Sequence, residues 1–251
     1  MTTFHSMILN VFRVKIFLII CLLVLSCNED EDRFEVINKL RGVGIRADKP
    51  VVSGASTVNL EIIALLPAGL TVDSSEIYIS DRTLKDLQLL ITLNNDATHT
   101  QHGALNLYQQ TATVAVPEVS KAYLAAFNGV VKLRYGVRLK AGNEEEIMVG
   151  DIVYVAEGSE ALSWGAHTIN VETPANGGTV SETVNLKAVL TKASDEIVKA
   201  SWFVSSGKVK NPKSLDTEWE EIGGGDQTVL LAVYPKKSRF FSYEIRSVVR
   251  P

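Results

Sequence analysis

Asp96, His99 and His102 form the one cluster in the sequence with metal-ligand character. A carboxylate and two imidazoles can hold zinc where a rigid element fixes their geometry. Here they fall in the polar stretch 94–103, which reads as a solvated loop, so no metal site and no cofactor is expected. His167 stands alone at the start of a predicted strand and is expected at the surface. Trp164, Trp202 and Trp219, with Tyr234, Phe240 and Tyr243, raise stacking on a sugar ring. Trp202 alternates with aliphatic residues and reads as core. Trp219 lies between Glu218 and Glu220, and is the one candidate ligand-binding residue, an exposed ring able to contact a partner. Lys208, Lys210, Lys213 and Lys236-Lys237-x-Arg239 predict solvated basic loops. There is no Gly-x-Ser-x-Gly elbow, phosphate-binding glycine loop or His-Glu-x-x-His. Gly42-x-Gly44 and Gly223-Gly224-Gly225 lack the following helix that anion binding needs. No catalytic residue is assigned, and the chain is not read as an enzyme.

Something must carry these residues, and composition sets its class. Of the 251 residues 46% are hydrophobic, enough for real cores and against wholesale disorder. Net charge is -4. An acidic balance excludes nucleic acid as a partner, because phosphate backbones need clustered Lys and Arg. Cys21 and Cys27 are the only cysteines, and both lie near the amino terminus. The rest of the chain therefore has no thiol nucleophile, thiolate metal site or disulfide and must rely on packing.

The amino-terminal segment has its own logic. Arg13 and Lys15 precede an uninterrupted apolar run over residues 16–25. That run is too short for a spanning helix of about 20 residues and fits the apolar region of a signal peptide. Either Met1 or Met7 serves as the start. Val24-Leu25-Ser26-Cys27 closes the run and resembles a bacterial lipobox. The resemblance implies cleavage before Cys27 and lipidation of its thiol and new amino group. Each buried methylene contributes about 0.8 kcal/mol, so two or three acyl chains hold firmly. Asn28, in place of the aspartate of inner-membrane retention, implies the outer membrane. Residues 29–32 are all acidic and read as a solvated tether.

Behind the tether the periodicity is that of strands. In the first half Val58, Leu60, Ile62 and Ala64 alternate with polar neighbours, as do Val131, Leu133, Tyr135, Val137 and Leu139 before the Ala141-Gly142-Asn143 turn. Leu84, Leu87, Leu90 and Ile91 fit helical spacing, leaving residues 82–93 open to helix or strand. Residues 118–127 predict a short helix stopped at Asn128-Gly129. In the second half Val184 to Leu190, Val198 to Val204 and Val229 to Val233 predict strands. Pro174-x-x-Gly177, the strand from Val184 and Trp202 on the third strand make this half resemble a bacterial immunoglobulin-like domain. The first half shares its opening order.

The fold expected is all-β: two immunoglobulin-like β-sandwiches in tandem, the first enlarged by an irregular, partly helical insertion. The divisions are a signal peptide over 1–26, lipidated Cys27 and tether over 27–32, a first sandwich over 33–157, a linker over 158–165 and a second sandwich over 166–251. These resemblances imply a structural or adhesive module held at the bacterial outer membrane. The alternative is a surface glycan-binding lipoprotein of an uptake system. The partners expected are the membrane, through lipid on Cys27, and an envelope protein or glycan.

Overall fold

The alternation around Val58 does fold as a strand, and its neighbours follow. The computed structural model describes residues 37–79, 90–93, 98–102, 105–191, 196–237 and 239–251. Cys27, the acidic tether, Asp96 and most of the segment 82–93 lie outside the described residues. The first half contains β1 (Arg41–Ala47), β2 (Val51–Val52), β3 (Ser56–Pro67), β4 (Ser74–Ile79), β5 (Leu90–Leu93), β6 (Thr98–His102), β7 (Leu105–Val116), β8 (Val130–Ala141) and β9 (Glu144–Val155). One sheet runs β1-β3-β7-β5, with β6 also on β7, and the other runs β2-β9-β8-β4. Val58, Leu60 and Ile62 of β3 meet Leu133, Val137 and Leu139 of β8 in the core between them. Burying each such side chain stabilises the fold by about 1.5–3 kcal/mol.

One expectation changes in the middle of this half. Residues 98–102 are not loop: β6 pairs antiparallel with β7, Thr98 opposite Gln109 and His102 opposite Leu105. β7 is a long strand, and β5 and β6 lie end to end along one of its edges. A polar strand satisfies its backbone groups there without needing an apolar face. The short helix forms as predicted. α1 (Lys121–Ala126) is capped by Ser120, whose hydroxyl accepts from the Tyr123 amide at 3.2 Å. It stops where Asn128 and Gly129 both adopt positive φ.

The second half contains β10 (Thr168–Thr173), β11 (Val184–Thr191), β12 (Val198–Val204), β13 (Lys208–Val209), β14 (Asp216–Glu220), β15 (Gly225–Pro235) and β16 (Ser242–Arg250). Its sheets run β10-β11-β14-β13 and β12-β15-β16. Four strands facing three in this order is the constant-type immunoglobulin arrangement. The first half repeats it. β1, β3, β7 and β5 take the places of β10, β11, β14 and β13, while β4, β8 and β9 take those of β12, β15 and β16. The fold is all-β, two immunoglobulin-like sandwiches in tandem. Trp202 is fully buried on the third strand of its sandwich, with its indole N–H donated to the Ser214 carbonyl at 2.7 Å.

Tandem sandwiches need not touch, but these do. Ile62, Ile63, Ala64, Leu65 and Leu66 are all buried, so β3 is covered on both faces. Ile62, Ala64 and Leu66 enter the first core, whereas Ile63 and Leu65 join a separate cluster with Leu107, Phe203, Leu230 and Phe241. β15 divides the same way: Val229, Leu231 and Val233 face the second core, Leu230 and Ala232 the shared cluster. Polar contacts register the joint. The Ile37 amide donates to the Val204 carbonyl at 3.2 Å, and the Tyr234 hydroxyl to the Val43 carbonyl at 2.7 Å. Gly44 is required here, since a Cβ would lie 2.9 Å from the Phe241 ring that rests on it. The connection is not a free spacer either. Residues Glu160–Ser163 form a 3₁₀ turn, and its Ala161 is buried against Val153 and Val155.

Candidate binding cleft between the sandwiches

Where the two halves meet, a cleft of about 350 Å³ opens beside the shared apolar cluster. Its walls are residues 42–45 of β1, residues 146–151 of β9, and Tyr234, Pro235, Arg239 and Phe241 from the end of β15 and the turn into β16. A pocket of this size at an interface between sandwiches is a common place for ligands. The polar groups in it have distinct environments. Asp151 is nearly buried, 3.1 Å from Nε of Arg134 and 3.7 Å from the Arg239 guanidinium of the other sandwich. Glu146 is half-buried and has no ion-pair partner among the described residues. Tyr135 is 4% exposed, with its hydroxyl over Gly150, where a Cβ would fall 2.3 Å from it.

Burial pushes the Tyr135 phenol well above its ordinary range, and the negative charge of Asp151 adds to that. Burial alone does the same to Tyr234. The folded chain therefore holds both protons more tightly than the unfolded chain does. That contribution is fully present below about pH 10 and is lost as pH rises beyond it, at up to about 1.4 kcal/mol per pH unit for each tyrosine. Denaturant titrations at increasing alkalinity should show this decline, and Tyr135→Phe should remove its share of the slope.

The residues singled out in the sequence are not brought together here. Trp219 is fully buried on β14, and its indole N–H donates to the Ser206 carbonyl at 2.7 Å. This corrects the reading of an exposed contact residue. On a strand, the glutamates either side of Trp219 point to one face and the tryptophan to the other. The signal was strict alternation in Asp216-Thr217-Glu218-Trp219-Glu220, and it identifies β14. The ring is therefore not at the surface where a sugar would stack on it. Lys208 and Lys210 are on and beside β13, not in a basic loop. Lys208 pairs with Glu221 at 2.7 Å and Lys210 with Glu220 at 2.9 Å, so the patch is neutralised locally.

His167 is also corrected: it is 2% exposed, with Nε2 2.9 Å from Glu196 Oε1. Glu196 Oε2 accepts from the Lys237 amide at 2.6 Å, and the Ser242 hydroxyl donates to the His167 carbonyl at 3.2 Å. These bonds fasten the start of β10 beneath the β15–β16 turn that supplies Arg239 and Phe241. His99 and His102 fall on β6, while Asp96 is outside the described residues. Among the described residues no group of three or more His, Cys, Asp or Glu is arranged to hold a metal ion. No helix among them is long and apolar enough to cross a membrane.

No family model matches the chain, and no curated protein matches it. Solved structures do. Three amino-terminal domains of the bacteriophage RB49 outer capsid protein Hoc match at 15% identity and a TM-score of 0.29, over 84% of this chain and 59% of that one. The D00-D0 domain of intimin matches at 12% identity and 0.31, over 82% and 99%. The Ig1-2 module of the Drosophila receptor tyrosine phosphatase DLAR matches at 10% identity and 0.29, over 85% and 100%. These likenesses are at low identity and low overall superposition, and the immunoglobulin-like assignment rests on the strand order described above.

Proposed function

We propose that this chain is a non-catalytic structural or adhesive binding module of the bacterial cell envelope, held at the outer membrane by lipid on Cys27. The observation that carries the binding role is the joint between the sandwiches. An apolar cluster containing Ile63, Leu65, Leu230 and Phe241 fixes the two halves against each other and leaves an open cleft beside it. A jointed pair held this way presents one defined surface at a distance from the membrane, which suits recognition. The anchor is supported by the ordered signal: Arg13 and Lys15, the apolar run, Ser26, then Cys27.

Cys27→Ser tests the anchor. The substituted protein should accumulate uncleaved, take up no radiolabelled palmitate and lose the outer-membrane fractionation of the wild type. Processing, labelling and fractionation identical to wild type would remove the lipid anchor from the proposal.

A further inference from the structure

The two edges of β9 are used unequally. One pairs with β8 along the whole strand, from Glu144 opposite Ala141 to Val155 opposite Val130. The other pairs with β2 only at Val153 and Tyr154. Along residues 144–151 this second edge carries no strand among the described residues, and residues 146–151 form one wall of the cleft. An open edge of this kind is a template for another strand unless it is blocked. The block here is partial: β1 passes along the same stretch without pairing to it, its Gly42 seated against the Met148 and Glu146 side chains. Acidic Glu144, Glu145 and Glu146 occupy one end, but Ile147 and Val149 beside them are 48% and 59% exposed. β-Branched residues at alternate positions on an open edge suit a cross-strand neighbour.

Two polar groups describe that neighbour. Glu146 is an acid in the cleft with no cation on it among the described residues. The Tyr135 hydroxyl, in a side chain more than nine-tenths buried, lines the cleft and has no hydrogen-bond acceptor among the described residues. A second copy of the chain is a poor fit. Two-fold antiparallel pairing centred on Met148 would set Glu145 of each copy against Asp151 of the other, and like charges directly opposite are destabilising.

We infer that the cleft takes an extended peptide segment of a partner protein, added to the open edge of β9 as a further strand. A lysine or arginine of the segment pairs with Glu146, a backbone carbonyl accepts from the Tyr135 hydroxyl, and apolar residues at alternate positions cover Ile147 and Val149. Main-chain pairing supplies affinity, and the alternate side chains supply choice of partner. The inference rests on the binding-module reading but not on the anchor, so a failure of peptide binding and a failure of the Cys27→Ser test are separate results.

The probe is a set of short acetylated, amidated peptides alternating Val and Thr, with Lys, Ala or Glu at the centre. Binding to the full-length chain in detergent is followed by fluorescence anisotropy and by amide hydrogen exchange. The Lys peptide should bind on the order of fivefold tighter than the Ala peptide, as for a partly exposed ion pair, and the Glu peptide more weakly still. Exchange should slow over residues 144–151. Glu146→Gln should abolish the difference between the Lys and Ala peptides while leaving the fold intact by circular dichroism. Equal affinity for all three peptides, or no slowed exchange in β9 with any of them at millimolar concentration, would overturn the inference. So would a peptide-free dimer dissolved by Ile147→Lys, which would give the edge to a second copy.

Discussion

Trp202→Ala is expected to lower the stability of the chain by about 3–5 kcal/mol, read as a shift in the denaturant midpoint. Trp202 is fully buried between the sheets of the second sandwich, among residues including Leu186, Val204 and Leu231. Truncation removes the largest kind of side chain from a close-packed core, and the surrounding strands are tied by their ladders and cannot collapse into the space. The substitution also orphans the Ser214 carbonyl that accepts its indole N–H. Trp202→Phe separates the two effects, since it keeps most of the packing and loses the hydrogen bond, at about 1–3 kcal/mol. Trp219→Ala should behave like Trp202→Ala. An exposed ring would give a change within about 0.5 kcal/mol, so the size of the Trp219 effect alone tells the two placements apart.

Phe241→Ala has an expected effect of similar size but a different character. Phe241 is 5% exposed, seated on Gly44 of the first sandwich, with its ring centroid 5.2 Å from Tyr234 and 6.0 Å from Tyr243. Removing the ring costs about 3–5 kcal/mol, and the loss falls on the joint rather than on either core. Calorimetry should therefore show one cooperative transition in the wild type resolving into two in the variant. Gly44→Ala approaches the same joint from the other side. Its methyl would stand 2.9 Å from the ring, and overpacking of that kind costs about 1–3 kcal/mol. Either variant should leave the secondary structure unchanged by far-ultraviolet circular dichroism.

Much of the fold was legible in the sequence because strand periodicity is a local property. Val58 to Ala64, Val131 to Leu139 and Val198 to Val204 alternate, and each is a strand with the expected face inward. The burial of Trp202 on the third strand follows from the same alternation. Where structure and sequence pattern part, the causes are local too. Trp219 reads as exposed when its two acidic neighbours are considered alone, and as buried when they are the outward half of an alternation. Thr98 to His102 reads as loop because it has no apolar face, and only the edge of β7 makes it a strand. His167 reads as a surface residue because nothing near it in sequence foretells Glu196, which the fold brings to 2.9 Å from its Nε2.

The cleft was the least visible feature, yet it left a trace. Residues 62–66 in β3 and 229–233 in β15 are continuous apolar runs where alternation would suffice for a sheet with one wet face. Two such runs in two sandwiches mean that each has its second face covered, and each covers the other. The walls of the cleft follow from that contact and from Arg239 reaching Asp151. Neither can be read from one sequence, because the pairing of distant surfaces carries no period.

The fixed joint is the claim on which the binding reading stands, and a distance measurement between the sandwiches tests it most directly. Val130 and Val189 lie one on each sandwich and are both 43% exposed, so each accepts a spin label through cysteine once Cys21 and Cys27 are replaced by serine. Double electron–electron resonance should give a single narrow distance distribution that broadens in Phe241→Ala. A broad distribution already present without that substitution would mean the sandwiches swing freely, and the account would be contradicted.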